Sequence, residues 1–146
     1  MALPPAAPPL PSSPAALQGV RVIEMGQLIA GPFCGKTLGE FGADVIKIEA
    51  PESGDPLRNW RLIKEGTSVW WQVQSRNKRS VALDLRQTEG QTIARQLIAE
   101  ADVLVENFRP GTLEGWRMSP EELHQLNPGL VMLRISGYGQ TGPYRD

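Results

Sequence analysis

The sequence has few of the residues that build disulfides, metal centres and membrane spans. Cys34 is the single cysteine among 146 residues, so an internal disulfide and a site of several thiolates are excluded. His124 is the single histidine, which excludes a two-histidine zinc motif and argues against a Ser-His-Asp triad. No stretch approaches the roughly 18 consecutive apolar residues of a membrane helix. The sequence therefore predicts no metal site and no contact with a membrane, and His124 is interpreted as a solvated helix residue.

An excess of one charge is also missing. Fifteen basic and sixteen acidic side chains give a formal net charge of −1, and no block of lysines or arginines stands out. A nucleic-acid binder needs such a block to neutralise phosphates. The balance therefore argues against nucleic acid as a partner.

The first twenty residues contain no charged side chain and are rich in proline. A secretory signal needs a basic start and an unbroken apolar run, and a mitochondrial presequence is rich in arginine. Neither pattern is present, so a cytoplasmic location is expected. Proline-rich segments form extended, solvated chains. We predict a disordered tail over residues 1–16, for which a proline-reading partner domain remains an alternative, and one folded unit over residues 17–146.

From residue 17 onward the pattern alternates between apolar strands and amphipathic helices. Strands are predicted over residues 20–25, 44–49, 80–85, 102–106 and 130–135, and helices over residues 32–41, 88–101 and 119–125. Residues 52–77 are predicted to be mainly a loop. Near-continuous apolar strands that alternate with helices indicate an α/β fold, in which helices cover both faces of a parallel sheet.

Two of the helices have sequence signals for their first residues. Thr88 with Gln91, and Ser119 with Glu122, predict capping boxes. The helix after Thr88 also has an apolar stripe at helical spacing, made of Ile93, Ala94, Leu97, Ile98 and Ala101.

Ligands of parallel α/β sheets bind at the carboxyl ends of the strands. The first such loop leads into residues 30–37 (AGPFCGKT), which fit a loose Walker A pattern. Lys36 would then contact terminal phosphates and Thr37 a magnesium ion. Two features oppose this interpretation: residues 26–29 separate the motif from its strand, and Pro32 lacks an amide that the phosphate would need. The alternative is the start of a helix with a solvated lysine.

Six blocks in one order carry a much more specific resemblance. They are residues 17–25 (LQGVRVIEM), 30–33 (AGPF), 38–51 (LGEFGADVIKIEAP), 77–80 (NKRS), 101–112 (ADVLVENFRPGT) and 137–144 (GYGQTGPY). Together they resemble the amino-terminal part of family III CoA transferases, the group of formyl-CoA transferase and the carnitine CoA transferases. The resemblance covers residues 17–146.

The resemblance implies a fold and an activity. Family members are interlocked homodimers whose chains each have a Rossmann-like large domain and a small domain. They move coenzyme A from an acyl-CoA donor to a carboxylic acid through an aspartyl-CoA thioester, which is covalent catalysis by a carboxylate. Coenzyme A is thus implied as a substrate rather than a tightly bound cofactor. Acyl-CoA racemases of the same superfamily remain an alternative.

The family's nucleophilic aspartate lies well beyond the block that ends at Tyr144. No catalytic residue is therefore expected among these residues, and Asp146 is interpreted as a surface carboxylate. We expect the chain to be an inactive amino-terminal fragment that lacks the rest of the large domain and the small domain.

Coenzyme A contacts are implied for three loops. The residues are Ile29 and Ala30; Leu83, Asp84, Leu85 and Arg86; and Asn107, Phe108 and Arg109. The resemblance places the first pair at the nucleotide, the second group at adenine and ribose, and the third at pantetheine and phosphate. Basic side chains and an apolar wall suit such a ligand. Alternatively, Leu83 and Leu85 belong to the strand core and Phe108 is a packing anchor.

One basic contact of the family is missing. The family often has arginine where this sequence has Ala50, so Arg58 or Arg61 would have to replace it. Lys78 and Arg79 are predicted to contact either phosphate or solvent.

Four tryptophans are numerous for a small domain, and three of them lie in the predicted loop. We expect apolar surface that a second subunit covers, around Trp60, Trp70, Trp71 and Trp116. Local folding of the loop over these side chains is the alternative.

Overall fold

The computed structural model describes residues 14–145, so the predicted tail lies almost entirely outside the described residues, as does Asp146. The strands are β1 (Arg21–Glu24), β2 (Asp44–Glu49), β3 (Ile63–Lys64), β4 (Thr67–Ser68), β5 (Lys78–Ala82), β6 (Val103–Glu106) and β7 (Val131–Arg134). The helices are α1 (Ala30–Glu40), α2 (Val69–Gln74), α3 (Thr88–Ala99), α4 (Thr112–Gly115) and α5 (Pro120–Leu126), and a 3₁₀ turn spans Pro56–Asn59.

Five strands form one parallel sheet in the order β5-β2-β1-β6-β7. Strand β1 is central, and Ile23 lies beside Ile46 of β2 and Leu104 of β6. The helices that connect the strands return the chain to the same edge of the sheet. The predicted α/β fold with a parallel, Rossmann-like sheet is therefore confirmed.

The alternation of side chains along each strand produces two buried layers. One face carries Ile23, Ile46 and Leu104, which pack with apolar residues of α3 and α5. The other face carries Val22, Val45 and Val105, which pack with residues of α1. Burial of each such side chain contributes about 1.5–3 kcal/mol to folding. Helices thus cover both faces, as the sequence predicts.

The third strand of the sheet lies earlier than the prediction for residues 80–85. Strand β5 begins at Lys78 and ends at Ala82 because its ladder with β2 ends where Ala82 pairs with Glu49. Leu83 adds one hydrogen bond to the Glu49 carbonyl at 2.9 Å, after which the chain turns away. Leu83 to Arg86 therefore form a loop at the carboxyl edge instead of the end of a strand. Leu85 belongs to the core and Leu83 packs against it, so the core interpretation of these two residues is confirmed while their place in a strand is wrong.

The predicted loop over residues 52–77 contains regular structure. Asp55 Oδ1 accepts a hydrogen bond from Leu57 N at 2.8 Å, which starts the 3₁₀ turn. Ser68 Oγ accepts one from Trp71 N at 3.2 Å, which starts α2. These side-chain caps make short elements possible where the sequence has neither strand nor helix periodicity.

One of the two predicted capping boxes forms. Ser119 and Glu122 exchange both capping hydrogen bonds at the start of α5. The box at Thr88 is wrong, because Thr88 is already the first helical residue and Gln87 precedes it without a side-chain cap. Gln91 Nε2 instead donates to the Leu85 carbonyl at 2.9 Å. In the predicted stripe of α3, Ile93 is 44% exposed, so the stripe is narrower than predicted.

The tryptophans are more buried than predicted. Of the four, Trp70 is the most exposed, at 39%, and its ring packs edge-on against that of Trp60 with centroids 5.5 Å apart. Arg58 stacks on Trp71 at 3.8 Å, and Trp116 packs on Phe108 at 5.2 Å. Local folding thus hides much of these rings. Four exposed apolar side chains remain in the same segment, and we call them the Leu62 patch: Leu62, Ile63, Trp70 and Val73.

Within residues 14–145, no helix is long and apolar enough to cross a membrane.

Candidate coenzyme A site

The carboxyl ends of three central strands terminate in buried glutamates. Glu24 ends β1, Glu49 ends β2 and Glu106 ends β6, and all three side chains are almost fully buried. Buried carboxylates need partners. Glu49 and Glu106 bind groups of the loops that follow their strands, whereas Glu24 binds Lys47 of β2 and Lys78 of β5. Sequence reasoning did not identify these residues, although the signal was present: each of three apolar strands ends in glutamate.

The loop after β5 forms one wall of a groove of about 270 Å³, which we call the Leu83 groove. All four predicted residues of that loop line it, together with parts of the loops after β1, β2 and β6. The wall residues that matter here are Gln27, Ile48, Ala50, Leu83, Asp84, Leu85, Arg86, Phe108 and Trp116. The groove combines apolar side chains with Arg86 and with two carboxylates, Glu49 and Asp84, each of which is paired with an arginine. An apolar wall beside an arginine suits an aromatic base beside a phosphate.

The loops after β6 and β7 enclose a larger space of about 660 Å³, which we call the Tyr138 cleft. Its walls are residues 107–110, residues 136–138, Tyr144 and Arg145, and the rings of Tyr138 and Tyr144 are 6.0 Å apart. Phe108 lines both the groove and the cleft. The predicted residues Asn107, Phe108 and Arg109 therefore lie between two adjoining depressions.

Phe108 is also a packing anchor, as the alternative interpretation held. Its ring packs edge-on against Trp116, and both side chains lie against the larger core layer. The backbone N–H of Phe108 donates to Glu106 Oε2 at 2.7 Å, which fixes the first turn of the loop. Phe108 therefore packs against the core and also lines the Leu83 groove.

Ile29 and Ala30 lie where the loop after β1 enters α1. Among the described residues, neither lines the Leu83 groove or the Tyr138 cleft. Their loop is nevertheless joined to the β6 loop, because Asn107 Oδ1 accepts from Gln27 N at 2.6 Å and Asn107 Nδ2 donates to Gln27 O at 2.9 Å. The structure thus brings the second and third predicted groups together and places the first beside them.

Two glycines allow the loop after β1 to pack tightly on the start of α1. A Cβ added to Gly26 would lie 2.6 Å from the Gly31 Cα and 2.9 Å from Asn107 Oδ1. Any larger residue at Gly26 would push the loop away from the helix and from Asn107.

Arg86 is exposed but already paired within its own loop. Its Nε donates to Asp84 Oδ1 at 2.8 Å and its Nη2 to Asp84 Oδ2 at 3.1 Å. The hydrogen bond from Arg86 lowers the pKa of Asp84 below its ordinary value. A phosphate at this position would compete with the Asp84 carboxylate for the guanidinium.

Glu49 holds the loop after β2. Its Oε2 accepts from Asp55 N at 2.8 Å and Arg58 Nε at 2.7 Å, while Oε1 accepts from Arg58 Nη2 at 2.8 Å and Ser80 Oγ at 2.5 Å. Burial alone would raise the pKa of Glu49, but these hydrogen bonds outweigh it and lower the pKa to about 2. Arg58 is therefore a structural partner of Glu49, while Arg61 stacks on Trp60 at 4.6 Å.

Lys78 and Arg79 both bind acidic side chains of the protein. Lys78 Nζ is buried, 2.6 Å from Glu24 Oε2 and 2.7 Å from the Pro32 carbonyl. Burial lowers the pKa of Lys78, and the Glu24 charge opposes that effect. Arg79 Nη2 donates to Asp44 Oδ1 at 2.7 Å. The Arg79 side chain is nevertheless 65% exposed, which agrees with the solvent alternative, whereas the buried Lys78 contacts the protein instead of solvent.

The Walker A interpretation is also wrong. Residues 30–37 lie inside α1, so they do not form the separate loop that would cradle a phosphate, and the Phe33 amide already donates to the Ile29 carbonyl at 2.7 Å. Lys36 Nζ lies 3.0 Å from Glu40 Oε2, and Thr37 Oγ1 donates to the Phe33 carbonyl at 2.9 Å.

His124 is exposed on α5, where its Nε2 lies 3.0 Å from the Leu130 carbonyl.

The described geometry is that of a parallel α/β domain with ligand-sized depressions at the carboxyl edge of its sheet. The sequence pattern of CoA-transferase family III matches residues 17–146, and the chain belongs to that family. The resemblance found in the sequence is thereby confirmed.

Similar proteins are CoA-transferases. The chain is 56% identical to succinyl-CoA–D-citramalate CoA-transferase of Chloroflexus aurantiacus over 91% of its own length and 33% of that protein. It is 40% identical to succinate–glutarate CoA-transferase of Agrobacterium fabrum over 94% of this chain and 36% of that protein. The chain thus spans about a third of the length of the curated relatives that it matches.

A solved structure has the same fold. A crystal structure of a CaiB/BaiF family protein from Brucella suis superimposes with a TM-score of 0.84 and 41% sequence identity. The match covers 91% of this chain and 36% of that chain.

Proposed function

We propose that this chain forms a coenzyme A binding part of a CoA-transferase. The whole protein would move coenzyme A from an acyl-CoA donor to a carboxylic acid acceptor. The observation that carries the proposal is the Leu83 groove, where a basic side chain and an apolar wall meet at the carboxyl edge of a family III sheet. The adenine ring would lie against Leu83 and Phe108, with Arg86 and Arg109 facing the phosphates.

The proposed reaction follows from carboxylate nucleophilic catalysis. An aspartate carboxylate attacks the donor thioester and displaces the CoA thiolate, which leaves a mixed anhydride. The thiolate then attacks the aspartyl carbonyl and releases the donor acid, and an aspartyl-CoA thioester remains. The acceptor carboxylate attacks that thioester to form a second anhydride, from which the thiolate takes the acceptor acyl group and frees the aspartate. We propose that this aspartate is not among residues 1–146.

Succinyl-CoA is the donor that we propose to test first. The relatives from Chloroflexus aurantiacus and Agrobacterium fabrum have succinyl-CoA or succinate in their names, together with citramalate or glutarate. Their names also describe transfer, which favours a transferase over an acyl-CoA racemase.

Removal of either exposed arginine is expected to weaken coenzyme A binding. Arg86→Ala and Arg109→Ala each delete a charge-assisted hydrogen bond to phosphate, so the dissociation constant should rise roughly tenfold or more. Lys36→Ala is the matched control, because that lysine pairs with Glu40 on α1. Isothermal titration of the three variants with coenzyme A is the measurement. Loss of binding in Lys36→Ala with both arginine variants unchanged would contradict the proposed site.

The polypeptide of residues 1–146 is expected to show no CoA exchange by itself, because the nucleophile is proposed to lie outside it. The test is incubation with succinyl-CoA and a panel of free acids, followed by chromatography of the CoA esters. Turnover above the rate without protein would show that the nucleophile is misplaced.

We also propose that the whole protein is a homodimer that covers the Leu62 patch. Large exposed apolar patches mark interfaces. The 146-residue chain is therefore expected to bind a hydrophobic dye or to self-associate in light-scattering measurements, and Trp70→Glu should reduce both effects. A monodisperse 16.0 kDa monomer without dye binding would argue against an interface at this patch.

A further inference from the structure

Four ionisable side chains form a buried cluster directly beneath the loop that joins β1 to α1. They are Glu24, Lys47, Asp55 and Lys78, and we call them the ion cluster. The side chains of Lys47 and Asp55 are each 1% exposed, and that of Glu24 is fully buried. Two cations and two anions balance each other, which is the condition under which charges are tolerated in an interior.

The ion cluster binds the backbone of the loop as well as itself. Lys47 Nζ donates to the Gly26 carbonyl at 2.6 Å, and Lys78 Nζ donates to the Pro32 carbonyl at 2.7 Å. Asp55 Oδ1 accepts from Leu28 N at 3.0 Å, and its Oδ2 lies 2.8 Å from Lys47 Nζ. Three backbone groups between residues 26 and 32 are thus tied to buried charges on β2, β5 and the loop after β2.

The backbone held in this way is in an unfavourable conformation. Leu28 has φ of 59°, in the left-handed region that residues with a side chain rarely adopt. Such a conformation costs of order 1–3 kcal/mol and persists only where the surroundings enforce it. The Leu28 amide is the group that Asp55 binds, and Ile29 and Ala30 follow directly.

We propose that Asp55 and Lys47 are positioning residues, which hold residues 26–30 in the conformation that receives coenzyme A. This inference rests on the proposed function. A purely structural salt bridge would need only the carboxylates and ammonium groups. Here both residues also hold main-chain atoms of the loop: Lys47 binds the Gly26 carbonyl and Asp55 binds the amide of the strained Leu28. Asn107 secures the same loop from the β6 side through Gln27.

The test compares two variants of one residue in the 146-residue chain. Asp55→Ala removes the acceptor for Leu28 N, whereas Asp55→Asn keeps an oxygen at that place. Ile98→Ala is the control, because Ile98 is a fully buried core residue of α3 and its truncation destabilises the fold without contact to the loop. Two quantities are measured for each folded variant: hydrogen exchange of the Leu28 amide and the dissociation constant for coenzyme A.

In Asp55→Ala, the Leu28 amide is expected to exchange at least about tenfold faster than in the unsubstituted chain. The Ile23 amide of β1 should remain at least as well protected as it is in the control variant Ile98→Ala. The dissociation constant should rise by a similar factor. Asp55→Asn should restore most of both losses, and Ile98→Ala should change neither.

Three results would overturn the proposal: unchanged exchange at Leu28, unchanged affinity despite faster exchange, or an equal loss of affinity in Ile98→Ala. If the unsubstituted chain does not bind coenzyme A, the proposed function fails. The exchange data then still decide whether the cluster holds the loop.

Discussion

Lys47→Met is expected to lower the free energy of unfolding by about 3–5 kcal/mol, the range for breaking a buried ion pair by removing one partner. The substituted side chain fills much of the same space but leaves Asp55 without its cation and the Gly26 carbonyl without its donor. Glu24 retains Lys78, so part of the ion cluster survives. Urea unfolding followed by circular dichroism measures the loss.

Lys36→Met is the matched control for that experiment. Lys36 pairs with Glu40 one helical turn away on α1, and its side chain is 13% exposed. Pairs at this helical spacing contribute about 0.2–0.5 kcal/mol. Failure of Lys47→Met to fold would agree with the prediction. If Lys47→Met lowers the free energy of unfolding by less than about 1 kcal/mol, as the control does, Lys47 does not stabilise this edge of the sheet.

Glu49→Gln is expected to remove about 3 kcal/mol of stability at pH 7, since a shift from 4.5 to about 2 corresponds to 1.36 kcal/mol for each pKa unit. The Glu49 side chain is 3% exposed, whereas that of its partner Arg58 is 39% exposed, so solvent screens the pair in part and about 3 kcal/mol is the upper end of the expected loss. The folded-state pKa lies below the unfolded one. The stabilisation is therefore complete above pH 4.5 and is lost as the pH falls toward 2.

The measurement is the stability difference between the unsubstituted chain and Glu49→Gln as a function of pH. That difference should shrink by about 3 kcal/mol between pH 5 and pH 2. Glu52→Gln, at an exposed position in the same loop, is the control and should show no such change. A difference independent of pH would contradict the assignment of a low pKa to Glu49.

The architecture of the sheet could be predicted because it follows from residue patterns within short stretches of the sequence. Apolar residues at strand and helix spacing identified the five sheet strands and the helices on both faces. Ser119 and Glu122 identified the start of α5, since a capping box is a contact between residues three positions apart. The same signal misled at Thr88, where the helix starts one residue earlier than a cap at that position requires.

The buried charges could not be predicted, because their partners are distant in sequence. Lys47 interrupts an apolar strand and has the sequence signature of a side chain that points to solvent. Its partners come from β1 and from the loop after β2, which meet only when the parallel sheet has formed. The resemblance named candidate ligand contacts in the loops, but not Glu49 and Glu106, which end their strands and bind the loops that follow.

The central claim is that coenzyme A binds at the carboxyl edge of this sheet, and chemical-shift mapping by nuclear magnetic resonance tests it most directly. Titration of the isotope-labelled chain with coenzyme A should move the backbone signals of Ala30, residues 83–86 and residues 107–109. Signals of Ile93 and Leu126, which are exposed on α3 and α5, should stay in place. Absence of any shift at saturating coenzyme A, or shifts confined to α3 and α5, would contradict the proposed site.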